Sequence, residues 1–224
     1  MFLEIELKLS IDPDPSHIDL LFSHPLLMQS PPVFGHFVSR YFDTPDLRLW
    51  HQGLSLRIRA AEECIIQTLK TAGAQIDDVH HRYEWDQTIK DNVPAIHAFE
   101  DKEISQRLDV IIGDQPLIEL FYTSFKRTQW NLHTISDAAY SSTDIENTQI
   151  ELVLDQGTVG TATQHSPLHE IELELKQGKV ASLHAVAAIL KQTIPLTLET
   201  RSKAQRGYLL YLDNHLSAKI AGAT

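Results

Sequence analysis

The sequence has few of the features that mark secreted or membrane-spanning proteins. It contains one cysteine, Cys64, in 224 residues, so an internal disulfide framework is excluded and a reducing compartment is favoured. No apolar run approaches the roughly 18 residues that a membrane-spanning helix requires. The first residues lack the basic and apolar segments of a signal peptide. We therefore expect a cytoplasmic protein that does not contact a membrane.

Basic residues are also in the minority. The chain has 19 lysines and arginines against 30 aspartates and glutamates, and its formal net charge is −11. This balance argues against nonspecific nucleic-acid binding, which depends on positive charge. The net negative charge is still compatible with a small polyanionic ligand, because a local basic cluster or a bound metal can make the electrostatic potential inside a cleft positive. We predict a small polyanionic ligand and no nucleic-acid partner.

The charged residues that are present alternate with aliphatic residues in two distant runs. The first is Glu4-Ile-Glu6-Leu-Lys8, and the second is Glu170-Ile-Glu172-Leu-Glu174-Leu-Lys176. Side chains of a strand point alternately to its two faces, so each run places its charges on one face. Several buried carboxylates together require a counter-charge, and hard divalent cations prefer oxygen ligands. The two runs predict a metal site in a polar cavity, although either run alone would also suit a solvated strand face.

Strand-like segments dominate the remaining sequence, and few helices separate them. They are predicted at residues 2–9, 37–43, 54–61, 64–71, 79–88, 118–132, 137–142, 149–155 and 169–176. The βαβ alternation of a parallel sheet is absent, so an antiparallel arrangement is favoured. A half-exposed single sheet would explain one alternating strand but not all of them. We predict an α+β, mainly β fold: a closed antiparallel barrel with a polar interior and helices packed outside.

Basic residues follow the same alternation and complete the predicted cavity. Arg57 and Arg59 share one strand face, and a final helix is predicted to begin with Lys203. Guanidinium groups match phosphate oxygens with two parallel hydrogen bonds, and ammonium groups add point charge. The basic candidates are Lys8, Arg57, Arg59, Lys70, Arg127, Lys203 and Arg206. Arg82 and Glu84 also share a face, where an internal ion pair and a ligand contact are both open.

These segments together resemble the CYTH domain, also called the triphosphate tunnel metalloenzyme family. The first run resembles the N-terminal ExExK motif of that family. Six further segments follow in the family's order. They are Tyr41-Phe42-Asp43-Thr44-Pro45, Leu56-Arg57-Ile58-Arg59, Thr68-Leu69-Lys70, Leu154-Asp155-Gln156-Gly157, the run from Glu170 to Glu174, and Ser202-Lys203-Ala204-Gln205-Arg206-Gly207-Tyr208. The resemblance covers nearly the whole chain and is closest to the bacterial inorganic triphosphatases.

The resemblance implies an eight-stranded tunnel that holds a triphosphate and Mg²⁺ or Mn²⁺. The implied metal ligands are Glu4, Glu6, Asp155, Glu170, Glu172 and Glu174. The basic candidates above would grip the phosphates. Glu4, Glu6, Lys8 and Lys203 would be the catalytic residues, with Glu4 orienting the attacking water. The domain would span residues 1–215 with a tail at 216–224, without the helical CHAD domain that follows in many bacterial members.

The activity implied is metal-dependent hydrolysis of inorganic triphosphate to diphosphate and phosphate. Two relatives on the same fold stay open as alternatives: a class IV adenylyl cyclase and a thiamine triphosphatase. Both need a pocket for an organic group, whereas Trp50, Tyr83 and Trp85 are interpreted as outer packing. A noncatalytic polyphosphate- or nucleotide-binding module is a third alternative, which the intact glutamate pairs disfavour. A monomer and a homodimer are both compatible with the sequence.

Overall fold

The computed structural model describes residues 1–60, 64–133 and 148–221, with side chains up to residue 215. The strands are β1 (Phe2–Ile11), β2 (Val33–Asp43), β3 (Leu54–Ala60), β4 (Ile65–Thr71), β5 (Ala74–Ile76), β6 (Val79–Ile89), β7 (Ile118–His133), β8 (Gln149–Gly160), β9 (His165–Gln177) and β10 (Leu196–Leu198). The α-helices are α1 (Pro15–Phe22), α2 (Arg48–His51), α3 (Lys102–Ile112), α4 (Ala181–Lys191) and α5 (Lys203–Ala221), with short 3₁₀ helices at Leu27–Gln29 and Ile96–Ala98. The strand predicted at 137–142 lies outside the described residues.

Eight of these strands form a closed antiparallel barrel in the order β1-β9-β8-β7-β2-β3-β4-β6, with β6 paired back onto β1. The two pairings of β1 close the ring: Glu4 lies opposite Arg82 of β6, and Lys8 lies opposite Glu172 of β9. The short strands β10 and β5 extend the pairing outside the ring, along β1 and β6. The predicted closed barrel is therefore confirmed.

The alternation in β1 separates the polar interior from an apolar exterior. Leu7 and Leu9 face outward and are buried with Leu183 and Val186 of α4 in one apolar cluster. Helix α3 covers a second cluster on β3, β4 and β6, and α5 covers a third on β2 and β7. Burying one large aliphatic side chain contributes about 1.5–3 kcal/mol, so these clusters stabilise a barrel whose interior is filled with charge.

The buried carboxylate of Asp43 fixes α2 and α5 across one end of the barrel. Its Oδ1 accepts hydrogen bonds from the backbone N–H groups of Thr44 (2.7 Å) and Leu49 (2.9 Å). Its Oδ2 accepts from the Trp50 N–H and the Tyr208 hydroxyl, both at 2.9 Å. Burial, and then the nearby Asp43 carboxylate, raise the pKa of Tyr208. The hydroxyl therefore stays protonated and donates to Asp43.

Helix α5 begins at Lys203, as predicted, and crosses the barrel end at close range. A Cβ added at Gly207 would lie 2.0 Å from a ring carbon of Phe121, so only glycine allows this approach. The Tyr208 ring stacks on Trp50 with 4.5 Å between the centroids. The helix continues to Ala221, past the predicted domain boundary at residue 215. Among the described residues, no helix is both long and apolar enough to cross a membrane.

Candidate active site

The barrel encloses a cavity of about 190 Å³ to which all eight strands contribute side chains. Its charged lining residues are Glu4, Glu6, Lys8, Arg57, Arg59, Lys70, Arg82, Glu84, Arg127, Glu151, Glu172, Glu174, Lys176 and Lys203. The structure therefore brings most of the predicted site residues together around one cavity. Of the predicted site residues, Asp155, Glu170 and Arg206 do not line this cavity. They lie beside it, at the end that α5 covers.

Three predicted metal ligands from β8 and β9 form a tight acidic cluster. One carboxylate oxygen each of Asp155, Glu170 and Glu172 lies within 4.8 Å of the other two. The Lys203 ammonium lies among them, 2.7 Å from Asp155, 2.6 Å from Glu170 and 2.9 Å from Glu172. The Lys8 ammonium also pairs with Glu172 and lies 3.2 Å from Glu6. Asp155, Glu170 and Glu172 are called the acidic cluster below.

The charges in the acidic cluster set the protonation of its members. Burial raises the pKa of Glu172, but Lys203, Lys8 and Arg127 outweigh burial and hold that pKa well below its usual value. Burial also raises the pKa of Glu170, and there Lys203 and Lys8 offset only part of the effect. Carboxylate oxygens at this spacing are the donors that Mg²⁺ and Mn²⁺ prefer. The three carboxylates are therefore suitable donors for the metal that the family resemblance implies, and the Lys203 ammonium between them would have to move aside when the metal binds.

Glu4 and Glu6 of β1 contact a basic residue that the sequence prediction had not assigned to the site. The Arg82 guanidinium pairs with Glu4 at 2.5 Å and also with Glu6. The Lys70 ammonium forms an ion pair with the Glu4 carboxylate at 2.9 Å and a second ion pair with Glu84. The alternation Arg82-Tyr83-Glu84 was the available signal, but it could not distinguish an internal ion pair from a ligand contact. In the structure Arg82 and Glu84 both make ion pairs and both line the cavity.

Glu174 is partly exposed, and its negative charge is less fully compensated than that of Glu172. Lys176 pairs with it at 2.6 Å. Burial raises the pKa of Glu174, Lys176 offsets part of this effect, and the carboxylates of Glu4 and Glu151 raise it further. This predicted metal ligand therefore lies apart from the acidic cluster, in a second group of carboxylates.

The guanidinium groups of Arg57 and Arg59 form a basic wall on the opposite side of the cavity. Among the described residues, Arg59 has no carboxylate within 4.0 Å, and its Nε donates to the Ser39 hydroxyl at 2.9 Å. Arg57 reaches Glu84 only at 3.5 Å, and its buried Nε has no hydrogen-bond partner in the part of the chain that the structure describes. Burial, followed by repulsion from Arg57 and Arg127, lowers the pKa of Arg59 to about 9. A partly buried cation such as Arg59, without a carboxylate partner among the described residues, indicates an anion-binding site.

Arg127 links the basic wall to the acidic cluster, whereas Arg206 lies outside the cavity. Arg127 donates to both oxygens of Asp155 at 2.7 Å and to Glu172 at 3.1 Å. Arg206 lies 3.3 Å from Glu170 and donates to the carbonyl of Pro167 at 2.5 Å. Arg206 thus contacts the acidic cluster from outside the cavity.

A second cavity of about 140 Å³ adjoins the first near the start of α5. The two cavities share Ser55, Arg82, Ser202 and Ala204. Trp50 lines the second cavity, so its prediction as outer packing was incomplete. His80 also lines it; this residue is nine-tenths buried, and its Nε2 has no hydrogen-bond partner in the structure.

Comparisons with known proteins agree with this architecture. An inorganic triphosphatase from Haemophilus influenzae is 31% identical over 217 residues, which are 94% of this chain and 55% of that protein. The chain therefore spans about half the length of this curated relative.

Two solved structures share the fold at lower sequence identity. A Hippeastrum protein, described as a candidate adenylyl cyclase with a dominant triphosphatase activity, is 22% identical with a TM-score of 0.63; the match covers 92% of this chain and 95% of that one. A candidate adenylate cyclase from Bacillus halodurans is 21% identical with a TM-score of 0.57, over 92% of this chain and 98% of that one. The sequence profile of the CYTH domain matches residues 3–208, and the chain therefore belongs to the CYTH domain family.

Proposed function

We propose that this chain hydrolyses inorganic triphosphate to diphosphate and phosphate inside the barrel, with Mg²⁺ or Mn²⁺ as cofactor. The observation that carries the proposal is Arg59, which has no carboxylate partner within 4.0 Å among the described residues and lies beside Arg57 on one wall of the cavity. Glu172 of the acidic cluster lines the same cavity. Such a cavity suits a ligand that is itself an anion and that also binds divalent cations. The similarity to a Haemophilus influenzae inorganic triphosphatase supports this choice of substrate.

The acidic cluster is the proposed metal site. Asp155, Glu170 and Glu172 offer the three closest carboxylate oxygens, and Glu4, Glu6 and Glu174 are further candidate ligands on neighbouring positions of β1 and β9. When bound there, a divalent cation would neutralise negative charge on the triphosphate oxygens.

The protein's own cations would provide the remaining charge neutralisation and the orientation. Phosphoryl transfer depends on positioning and on neutralising charge more than on covalent chemistry. Arg57, Arg59 and Lys70 are held by strand pairing at fixed positions around the cavity, so little reorganisation is needed when charge develops. Lys8 and Lys203 would contact the phosphate nearest the acidic cluster.

Glu4 is the proposed residue for orienting the attacking water. Burial raises its pKa, but Lys70 and Arg82 outweigh burial and hold the pKa far below its usual value. Glu4 is therefore ionised throughout the physiological range and is a weak base. Its role would be to accept a hydrogen bond from the water rather than to take its proton in the ground state.

The central test is phosphate release from inorganic triphosphate with Mg²⁺ or Mn²⁺. We expect Glu6→Gln and Glu172→Gln to lower metal-dependent turnover by about 100-fold or more, the range seen when one charged or polar transition-state contact is removed. Circular dichroism should show that both variants keep the barrel. Glu103→Gln, on the exposed face of α3, is the matched control and should be fully active. Full activity of both site variants would contradict the proposal.

A second candidate function is hydrolysis or cyclisation of an organic triphosphate. The observation in its favour is the second cavity, where Trp50 and the unpartnered His80 could contact an organic group. Parallel assays with ATP and thiamine triphosphate, including detection of cyclic AMP, separate these activities from inorganic triphosphate hydrolysis. Release from no substrate would favour a noncatalytic binding module.

The proposed partner follows from the reaction, and the proposed location follows from the cysteine content of the chain. A small polyanion would be the only substrate needed, in a chain that is a monomer or a homodimer. The single cysteine supports a cytoplasmic location for this activity.

A further inference from the structure

Two phenylalanine rings lie against the basic side of the tunnel. Phe37 of β2 and Phe125 of β7 are directly opposite in the strand register, and their ring centroids are 6.0 Å apart. Both share the inward face of the barrel with residues that line or border the cavity. Phe125 is 1% exposed. The pair is called the aromatic pair below.

The aromatic pair contacts three of the proposed phosphate-binding cations. The Arg59 guanidinium carbon lies 4.8 Å from the Phe37 centroid and 5.8 Å from the Phe125 centroid. The Arg127 guanidinium carbon lies 5.7 Å and 5.5 Å from the same two rings. The Lys203 ammonium lies 5.1 Å from the Phe125 ring. All of these distances are within the roughly 6 Å over which a ring attracts a cation.

The physical advantage of an aromatic neighbour is that it attracts a cation without carrying net charge. A carboxylate beside Arg59 would stabilise it more strongly, but that carboxylate would then repel and compete with an incoming phosphate. The face of a phenylalanine ring stabilises the partly buried guanidinium through its quadrupole and leaves the positive charge available. Arg59 depends on this contact more than Arg127 and Lys203, which also have carboxylate partners.

We propose that Phe37 and Phe125 are positioning residues of the triphosphate site, which hold Arg59, Arg127 and Lys203 towards the tunnel without neutralising them. The identity of the anion in this inference rests on the proposed function. The arrangement of the cations rests only on the observed ring contacts.

The first measurement is the affinity for inorganic triphosphate, by calorimetry with a chelator and without divalent metal. Phe37→Leu and Phe125→Leu keep apolar bulk but remove the ring face, and we expect each to raise Kd by roughly 2- to 30-fold. Phe37→Tyr, which restores a ring, should bind nearly as well as the wild type. In turnover assays the two leucine variants should raise KM more than they lower kcat.

Phe99→Leu is the matched control for loss of a buried ring. Phe99 is 1% exposed, as Phe125 is, but it lies in the apolar cluster under α3 and not on the cations. Phe99→Leu should lower thermal stability while leaving Kd unchanged. Equal Kd values for the wild type and both aromatic-pair variants would overturn the inference, even if triphosphate hydrolysis is confirmed.

A second measurement does not depend on the substrate. Because Arg59 lies over the Phe37 ring, its Nε–H resonance should carry a ring-current shift that Phe37→Leu removes and Phe99→Leu does not. An unchanged Arg59 resonance in Phe37→Leu would overturn the proposed contact. Wild-type protein that neither binds nor hydrolyses triphosphate would refute the proposed function and the substrate role of the pair, whereas the resonance would still report on the contact itself.

Discussion

Arg59 shows at the scale of one residue how a protein can keep a binding site charged before its ligand arrives. Its guanidinium is desolvated, lies near two other guanidinium groups, and has a hydroxyl and two rings as partners. The charge is therefore costly in the free protein and would be stabilised by a bound anion. Because a bound anion would lower the free energy of this charge and a neutral ligand would not, Arg59 favours anionic ligands.

The charge of Arg59 predicts that Arg59→Gln weakens triphosphate binding throughout the physiological pH range, because a guanidinium stays protonated there. A hydrogen bond to a charged group contributes about 1.5–3 kcal/mol, so we expect Kd to rise by roughly 10- to 100-fold. The free variant should keep its stability, because burial and repulsion from Arg57 and Arg127 disfavour the charge and lower the pKa of Arg59. Calorimetry of the wild type and the variant measures the difference in Kd.

The control for this prediction is Arg40→Gln, at an exposed position of β2, which should bind triphosphate as the wild type does. Equal Kd values for the wild type and Arg59→Gln would contradict a contact between Arg59 and the bound anion.

At the scale of elements, α5 depends on the loop and short helix that follow β2. Asp43 bonds the start of α2 and the Tyr208 hydroxyl at once, and Gly207 lets α5 approach Phe121. These contacts fix the turn that carries Lys203 into the acidic cluster. A shift of α5 by less than a helical turn would withdraw that ammonium from all three carboxylates.

Gly207→Ala tests this docking. The added Cβ would lie 2.0 Å from the Phe121 ring, so α5 or the ring must move. We expect a loss of about 1–3 kcal/mol in the free energy of unfolding, typical of an overpacked core, and a reduced turnover through displacement of Lys203. Thermal unfolding and phosphate release measure the two effects. Leu209→Ala, at a half-exposed position of α5, should have little effect on either measurement.

Much of the barrel could be predicted from the sequence, but the pairing of its side chains could not. Alternation places Arg57 and Arg59 on one face whatever their neighbours are, because it is a property of a single strand. It does not say which strand lies beside which, so the contact of Lys203 with three carboxylates required the tertiary structure. Phe37 and Phe125 gave no signal, since phenylalanine on a strand is equally compatible with an outward apolar face.

At the scale of the whole molecule, a triphosphate that bridges the basic wall and the acidic cluster should stabilise the barrel against unfolding. A ligand at 100 times its Kd adds about 2.7 kcal/mol, which for a chain of this size is roughly 5–10 °C in Tm. Tryptophan fluorescence during heating measures the shift. The substitution Arg57→Leu should reduce this shift, and an unchanged Tm in millimolar triphosphate would contradict binding inside the barrel.

The place of β1 in the ring also has a consequence for the order of assembly during synthesis. The pairings β2-β3, β3-β4, β4-β6 and β6-β1 all lie within the first 89 residues. The basic wall can therefore form before the rest of the chain has been synthesised. The β1-β9 seam must wait until residues 165–177 have emerged. Lys8 meets Glu172 in that last seam, and Lys203 follows still later in the chain. A nascent chain can therefore acquire its anion-attracting arginines first, and its neutralised acidic cluster only after the start of α5 has emerged.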